Sequence, residues 1–230
     1  MIGIIFAMEP EGRKLISMLE DTREEQALGL TFYLGKLSGK DVVLVRSGTG
    51  KVNAGISCAL LLARYPIEAV INTGIAGSLN ASIDIGDIVL SKTVVHHDVD
   101  ATFFGYKLGE VPQVGTCEFP GDEKLLQTAF IVNQETNPDN HVFIGKVCSG
   151  DQFIDSTKAK ERIHQSFGGD CCEMEGASIA QVAWTNHIPF LIIREISDKA
   201  DDSAKMDYPE FEEMAVNHCV RLTSALLARL

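Results

Sequence analysis

The chain alternates short apolar runs, rich in β-branched residues, with segments in which apolar positions recur at helical spacing. Leu15 and Leu19 give one such helical stripe, and Ser38-Gly39 marks a hairpin turn between two apolar runs. The predicted strands are 2–7, 31–37, 42–45, 69–72, 87–95, 142–148, 171–173 and 189–196. The predicted helices begin at Pro10 and after Gly50, and then cover 125–132, 156–167, 176–184 and 209–228.

Strands that alternate with helices predict an α/β fold. We expect a three-layer sandwich in which helices flank a mixed, mostly parallel central sheet. A length of 230 residues with 45% hydrophobic content suits one domain spanning 1–230. The breaker-rich segment 98–119 predicts a long loop.

The charge balance narrows the class of partner. A formal net charge of -12 disfavours nucleic acid and anionic membrane surfaces and favours a neutral or cationic small molecule. The first residues lack a basic region and predict a buried strand, not a signal peptide. The six cysteines lack metal-ligand spacing and predict reduced thiols, so we expect a cytoplasmic protein.

Small and acidic residues collect directly after the predicted strands. Ligands of open α/β sheets bind outside the carboxyl ends of the strands, so these residues are the candidates for a site. Two glycine-rich segments, 47–50 and 73–77, are predicted as loops of this kind. The acidic candidates are Glu11, Glu173, Glu175 and Asp198, and the one arginine that accompanies them is Arg194.

Each candidate also has a structural interpretation. Glu11 and Glu175 suit the N-termini of helices, Asp198 suits a helix cap or turn, and Glu173 suits a surface strand. An arginine inside an apolar strand needs a partner. For Arg194, a salt bridge to Glu173 or Glu175 and a contact with substrate are equally compatible with the sequence.

Six stretches taken together are far more specific than any one strand end. The stretches are GIIFAMEPE at 3–11, SGTGKVNA at 47–54, INTGIAG at 71–77, SGDQFI at 149–154, EMEGA at 173–177 and REISD at 194–198. With them the chain resembles the 5′-methylthioadenosine/S-adenosylhomocysteine nucleosidase family of the nucleoside phosphorylase superfamily. The resemblance runs from residue 3 to about residue 211 and implies that superfamily's fold.

The resemblance implies a role for each of three carboxylates. Glu11 would be the general base that deprotonates the attacking water, and Asp198 would protonate purine N7. Glu175 would hold the 2′- and 3′-hydroxyls of the ribose. An oxocarbenium-like transition state needs such an acid and base on opposite sides of the sugar, as in inverting glycosidases. Asp198 must then carry a proton near neutral pH.

The resemblance also implies the remaining substrate contacts. Phe153 would stack on adenine, the backbone of Ile154 would bond its Watson–Crick edge, and Met174 would pack on the sugar. Arg194 would orient Glu175 or the water. The residues expected around the sugar and the 5′-thioether are Met8, Phe104 and Tyr208, and Ala76, Gly77 and Ser197 complete the set. The family implies a homodimer, with Phe104 able to act across the interface, and implies neither a metal nor an organic cofactor.

The chain departs from the family pattern at four positions. Ile75 stands where serine is frequent, Thr49 where an apolar residue is usual, and Tyr208 where phenylalanine is common. Lys199 follows Asp198 where small apolar residues are frequent. These positions concern the 5′ tail of the substrate and leave its choice among methylthioadenosine, S-adenosylhomocysteine and 5′-deoxyadenosine open.

Other functions fit parts of the pattern. A purine nucleoside phosphorylase needs cationic or amide donors for phosphate, whereas Thr49 and Ile75 offer little and Glu11 would repel the anion. An AMP nucleosidase needs a 5′-phosphate site and a longer chain. A nucleosidase for 6-amino-6-deoxyfutalosine would use the same catalytic residues. A non-catalytic nucleoside sensor on this fold would be expected to lack one of the three carboxylates.

Overall fold

The computed structural model describes the backbone of residues 1–230 and all side chains except those of 205–215. The strands are β1 (Ile2–Phe6), β2 (Glu20–Ala27), β3 (Leu30–Leu37), β4 (Lys40–Arg46), β5 (Ala69–Ser78), β6 (Ile88–His96), β7 (Phe119–Pro120), β8 (Val142–Ser149), β9 (Cys171–Glu173) and β10 (Phe190–Asp198). The helices are α1 (Glu9–Ser17), α2 (Lys51–Arg64), α3 (Glu123–Thr136), α4 (Thr157–Phe167), α5 (Gly176–Thr185) and α6 (Ala204–Leu227), with a short 3₁₀ helix at Thr102–Phe104.

The central sheet closes on itself. Strand β5 pairs with β10, β10 with β6, β6 with β8, β8 with β9, and β9 returns to β5. The other edge of β5 pairs with β1, from which β4, β3 and β2 extend outward. A closed ring of strands leaves no edges among its members. The ends of its strands therefore converge on a common rim.

This ring corrects part of the predicted fold. The α/β class and the mixed sheet hold, but the three-layer sandwich is wrong because the sheet is a closed barrel with an extension. The sheet is also not mostly parallel: among the described pairings, five are parallel and five antiparallel. Closure depends on strand β9, which is only three residues long. A strand this short is not long enough to show the alternation of apolar and polar residues that predicts a strand.

Helices cover both faces of the sheet, as predicted. Helices α2 and α5 pack together on one face, around an apolar cluster that includes Cys58, Leu61 and Ile179. Helix α6 packs with α1 and α3 on the other, around a cluster that includes Leu15 and Leu126. No helix within the described part of the chain is long and apolar enough to cross a membrane.

Two differences from the predicted elements matter for the site. The segment 73–77, predicted as a glycine-rich loop, continues strand β5 and pairs with β10. The charged strand β2 (EDTREEQA) was not predicted, because it carries no alternation of apolar residues. It pairs with β3 on one side only and has the charged surface of an edge strand.

Candidate active site

One cavity of about 460 Å³ opens at the rim where the strands end; we call it the strand-end cavity. Its walls come from the ends of β1, β5, β9 and β10 and from the segments that follow β4 and β8. The lining residues are Ala7, Met8, Glu11, Thr49, Ile75, Ala76, Gly77, Phe153, Cys172, Glu173, Met174, Glu175, Ser197 and Asp198. Most of the predicted site residues therefore meet in one place.

Glu11 lies in the first turn of α1 and is buried. Its Oε2 accepts hydrogen bonds from the amides of Ala7 and Met8, both at 2.8 Å, so the carboxylate does serve the helix N-terminus. Its Oε1 lies against β5, only 2.8 Å from where a Cβ on Gly74 would stand. Burial raises the pKa of Glu11, although those two amides and the Arg194 guanidinium oppose the shift. A buried carboxylate whose affinity for protons is increased is suited to act as a base.

Glu175 occupies the N-cap position of α5, yet its side chain does not cap that helix. Its Oε1 instead accepts a hydrogen bond of 2.8 Å from the amide of Gly50, at the start of α2. Burial and, second, the neighbouring Glu173 carboxylate raise the pKa of Glu175 to about 7. The carboxylate lines the strand-end cavity while its position is fixed by a different helix.

The capping role belongs to Glu173. Its Oε2 accepts hydrogen bonds from the amides of Glu175 at 3.2 Å and Gly176 at 2.7 Å. Its other oxygen accepts one from the hydroxyl of Ser149. The prediction of a surface strand residue is wrong, because the Glu173 side chain is only 3% exposed and serves as an anchor for three elements.

Arg194 is the cation of the site and is fully buried. Its Nη2 donates to Glu173 Oε2 and to Asn72 Oδ1, each at 2.5 Å, and its Nη1 donates to the carbonyl of Ile193 at 3.0 Å. Of the two predicted alternatives, the salt bridge to Glu173 is present, and Arg194 is not among the residues that line the cavity. Its hydrogen bond to Glu173 orients that carboxylate, whereas its influence on Glu11 and Glu175 is electrostatic.

Asp198 ends strand β10 and is buried at the cavity wall. Its Oδ1 accepts a hydrogen bond from the amide of Ala200 at 2.8 Å, and its Oδ2 one from the hydroxyl of Ser197 at 2.9 Å. Gly77 lies directly opposite, since a Cβ there would approach Asp198 Oδ1 to 2.8 Å. The absence of a side chain at Gly77 thus makes room for the carboxylate.

The segment after β8 forms another wall. Phe153 is half exposed and lines the cavity, while Ile154 is buried and lines a small recess beside it that Met174 and Asp198 also border. Asp151 fixes this segment: its Oδ1 accepts a hydrogen bond of 2.7 Å from the Lys51 amide at the start of α2. The same helix start holds Glu175 through Gly50, so the two walls share one support.

Three predicted site residues whose side chains the structure describes are not among those that line the cavity, namely Ile154, Arg194 and Phe104. Phe104 lies in the 3₁₀ helix, is 76% exposed and packs edge-on against Phe103 with ring centroids 5.2 Å apart. Tyr208 lies outside the described side chains. Lys199 points away from the cavity, because its Nζ donates to the carbonyl of Ile83 at 2.9 Å and contacts Asp84.

Four lining residues are missing from the predicted site, namely Ala7, Thr49, Ile75 and Cys172, and Glu173 is predicted only as an acidic candidate without a role. In the sequence, Thr49 and Ile75 stand out only as departures from the family pattern, although both lie in matched stretches. Cys172 carried no signal, since it lies inside the short strand β9. Among the described side chains, no group of three or more His, Cys, Asp or Glu residues is placed to hold a metal ion.

The charges of the cavity constrain its chemistry. Four carboxylates line it, and the only guanidinium within hydrogen-bonding distance of one of them, among the described residues, is committed to Glu173. Such a wall disfavours a phosphate and suits a neutral substrate with hydroxyls and basic nitrogens. The fold and this site define a nucleoside-phosphorylase-like α/β protein that carries acidic groups where ligands of such sheets bind.

Comparison of the chain with known proteins agrees with this class of protein and identifies a family within it. The family described as the Phosphorylase superfamily matches residues 1–228. A relative from Staphylococcus haemolyticus, named 5′-methylthioadenosine/S-adenosylhomocysteine nucleosidase, is 41% identical over 228 residues, which cover 99% of each chain. The chain belongs to the phosphorylase superfamily and, within it, to the family of these nucleosidases.

Solved structures give the same picture. The nucleosidase of Neisseria meningitidis in complex with methylthio-immucillin-A superposes with a TM-score of 0.96 at 35% identity, covering 100% of this chain and 99% of the other. A futalosine hydrolase of Helicobacter pylori superposes with a TM-score of 0.94 at 30% identity, covering 100% and 97%. The fold is thus shared by enzymes whose names give two different nucleoside substrates.

Proposed function

We propose that the protein hydrolyses the N-glycosidic bond of 5′-methylthioadenosine and S-adenosylhomocysteine, and also of 5′-deoxyadenosine, to release adenine. One domain spanning 1–230 carries the activity. The observation that carries this proposal is that Glu11, Glu175 and Asp198 come from three separate elements yet line one cavity. The family membership and the names of the relatives support the choice of substrate.

The reaction divides between an acid and a base. Asp198 donates its proton to purine N7 as the bond between N9 and C1′ breaks, so that adenine leaves as a neutral base. Glu11 removes a proton from the water that attacks C1′, and its raised pKa makes it a stronger base than an exposed carboxylate. Glu175 accepts hydrogen bonds from the ribose hydroxyls and thereby holds the sugar between Asp198 and Glu11. Each positioned proton transfer contributes roughly 10²–10⁴-fold to the rate.

The remaining contacts follow the walls of the cavity. Phe153 stacks on adenine and the backbone of Ile154 bonds its edge, beside Asp198. Met174 packs on the sugar, and Met8 lies toward the 5′-thioether. The backbone around Ala76, Gly77 and Ser197 closes the cavity behind the nucleoside.

The first experiment supplies methylthioadenosine to the purified protein with and without phosphate and separates the products by chromatography. We expect adenine and methylthioribose at equal rates in both tubes. Adenine formed only with phosphate, together with a sugar 1-phosphate, would instead identify a phosphorylase. No adenine in either tube would reject the proposed substrate.

A second candidate is hydrolysis of 6-amino-6-deoxyfutalosine. The likeness to the Helicobacter pylori futalosine hydrolase favours it, because that enzyme shares the fold over the whole chain. A comparison of kcat/KM for aminofutalosine and for methylthioadenosine, measured on one preparation, distinguishes the two activities. We expect the ratio to favour methylthioadenosine.

We also propose a homodimer in the cytoplasm. Large apolar side chains are exposed near the start of α2 and in the 3₁₀ helix, with Val52 71% and Phe103 91% exposed. The ion pair between Lys51 and Asp98 at 2.5 Å ties the start of α2 to the segment that leads into the 3₁₀ helix. All six cysteines are free thiols, which suits a reducing compartment. Sedimentation velocity should give about twice the chain mass of 25.0 kDa, and Val52→Asp should shift it toward the monomer.

A further inference from the structure

A second cavity of about 890 Å³ adjoins the strand-end cavity; we call it the adjoining cavity. The two share three lining residues, Ala7, Met8 and Thr49. These residues lie where β1 and β4 end side by side, held by hydrogen bonds from the Ser47 amide to the Phe6 carbonyl at 2.9 Å and from the Gly48 amide to the Ala7 carbonyl at 3.2 Å. The two cavities therefore lie side by side along this boundary.

The two cavities differ in charge. Carboxylates dominate the strand-end cavity, whereas the adjoining cavity is lined by two arginines, Arg13 and Arg46, and two glutamates, Glu9 and Glu24. A surface with both signs complements a group that carries both signs.

Arg46 is the better placed of the two arginines to receive a ligand. Arg13 donates to Glu9 Oε1 at 2.7 Å and is thereby engaged, whereas Arg46 Nη1 lies 3.9 Å from Glu9 Oε2, at the limit of an ion pair. Arg46 ends strand β4, three residues before Thr49 at the boundary. Its guanidinium presents paired N–H donors that match a carboxylate.

Methylthioadenosine and S-adenosylhomocysteine, two of the proposed substrates, differ only beyond the 5′-sulfur. Methylthioadenosine ends in a methyl group, whereas S-adenosylhomocysteine continues into an amino acid with an α-ammonium and an α-carboxylate. We propose that the adjoining cavity binds this amino-acid end, with Arg46 donating hydrogen bonds to the carboxylate and Glu9 and Glu24 facing the ammonium. This inference rests on the proposed nucleosidase function and identifies the part of the protein that recognises the longer substrate.

The residues at the boundary suit the passage of the tail. Met8 offers an apolar contact for the thioether, and Thr49 places a hydroxyl beside it. The methyl group of methylthioadenosine carries no charge or hydrogen-bonding group, so it gives the arginines and glutamates of the adjoining cavity nothing to bind. Arg46 therefore distinguishes the substrates without touching the reacting atoms.

The test compares both substrates in the wild type and in Arg46→Met. We expect KM for S-adenosylhomocysteine to rise about fivefold while kcat and both constants for methylthioadenosine stay unchanged. Arg46→Glu should raise that KM further, because it opposes the carboxylate. The decarboxylated tail, 5′-deoxy-5′-(3-aminopropylthio)adenosine, should not respond to Arg46→Met. The matched control is Arg229→Met, since Arg229 is exposed and pairs with Glu135 at 2.6 Å, and neither lines either cavity.

Failure of the inference is distinguishable from failure of the function. An unchanged KM for S-adenosylhomocysteine in Arg46→Met, or an equal rise for both substrates, would overturn the tail site while hydrolysis of methylthioadenosine still supports the proposed function. A wild-type protein that accepts methylthioadenosine and rejects S-adenosylhomocysteine would also overturn it. Hydrolysis of neither substrate would overturn both, and the methylthioadenosine reaction itself reports that each variant is folded.

Discussion

The guanidinium of Arg194 and the carboxylate of Glu173 are 2.5 Å apart, and their side chains are 2% and 3% exposed. The pair joins β10 to β9 across the ring of strands, and Arg194 also bonds Asn72 on β5. Glu173 in turn holds the first amides of α5. The ion pair and the bond to Asn72 thus tie three strands together, and Glu173 links them to the start of the helix that follows Glu175.

Arg194→Met should destabilise the protein by about 3–5 kcal/mol, because it leaves the Glu173 carboxylate buried without its counter-charge. Urea unfolding followed by circular dichroism measures this loss. The double variant Arg194→Met/Glu173→Gln removes both charges and should regain part of it. If the single and double variants are equally unstable, the pairing of charges is not what stabilises this region.

Stability should depend on pH through Glu175. Its pKa is raised from 4.5 to about 7 in the folded protein, so between these values the folded state holds the proton and the unfolded chain does not. The free energy of unfolding therefore falls as the pH rises through this window, and the loss is complete above pH 7. One pKa unit corresponds to about 1.4 kcal/mol, so the charged carboxylate costs about 3 kcal/mol at pH 8.

The variant Glu175→Gln cannot ionise and isolates this effect. Its urea midpoint should match the wild type near pH 4.5 and exceed it at pH 8, while its activity falls because the ribose hydroxyls lose a charged acceptor. A stability difference that is the same at both pH values would mean that ionisation of Glu175 is not responsible.

Asp198→Asn should lower kcat for methylthioadenosine by about 10²–10⁴-fold, since an amide cannot protonate N7. The fold should survive, because the amide oxygen still accepts a hydrogen bond from the Ala200 amide. The matched control is Asp202→Asn, an exposed carboxylate that accepts a hydrogen bond from Thr157. Wild-type turnover in the Asp198 variant would refute its role as the acid.

Gly74→Ala tests the position of Glu11. The new Cβ would lie 2.8 Å from Glu11 Oε1 and 3.4 Å from Arg194 Nη1, so the carboxylate has to move. A displacement of a base by about 1 Å costs roughly 10²-fold in rate. We expect kcat to fall by about that factor while the urea midpoint changes little. Retention of full kcat would show that Glu11 does not need this position.

The local patterns predicted most of the elements but not the way in which they close. The hairpin at Ser38-Gly39 follows from turn chemistry, and both residues have the positive φ, 51° and 79°, that this turn requires. Closure of the sheet depends instead on the three residues of β9 and on β10 pairing with both β5 and β6. Such long-range pairing leaves no periodic signal in the sequence.

The site shows the same division. That polar residues gather at strand ends follows from the fold class, and the cavity contains the three predicted carboxylates. The sequence assigns the N-terminus of α5 to Glu175 and a surface strand to Glu173, whereas in the structure the Glu173 side chain caps α5. The choice is made by Arg194 and Ser149, which reach Glu173 from distant parts of the chain.

The position of β10 within the ring has a consequence for synthesis of the protein. Residues 190–198 insert between β5 and β6, which are complete by residue 96. A ribosome must therefore make more than four-fifths of the chain before the ring closes, and the exit tunnel delays closure further. Until then, the edges of β5 and β6 are open templates for pairing with other chains. Premature termination anywhere before β10 yields a chain that lacks Arg194 and Asp198. Such a chain has no complete site, and the unpaired edges of β5 and β6 are exposed to the quality-control machinery of the cell.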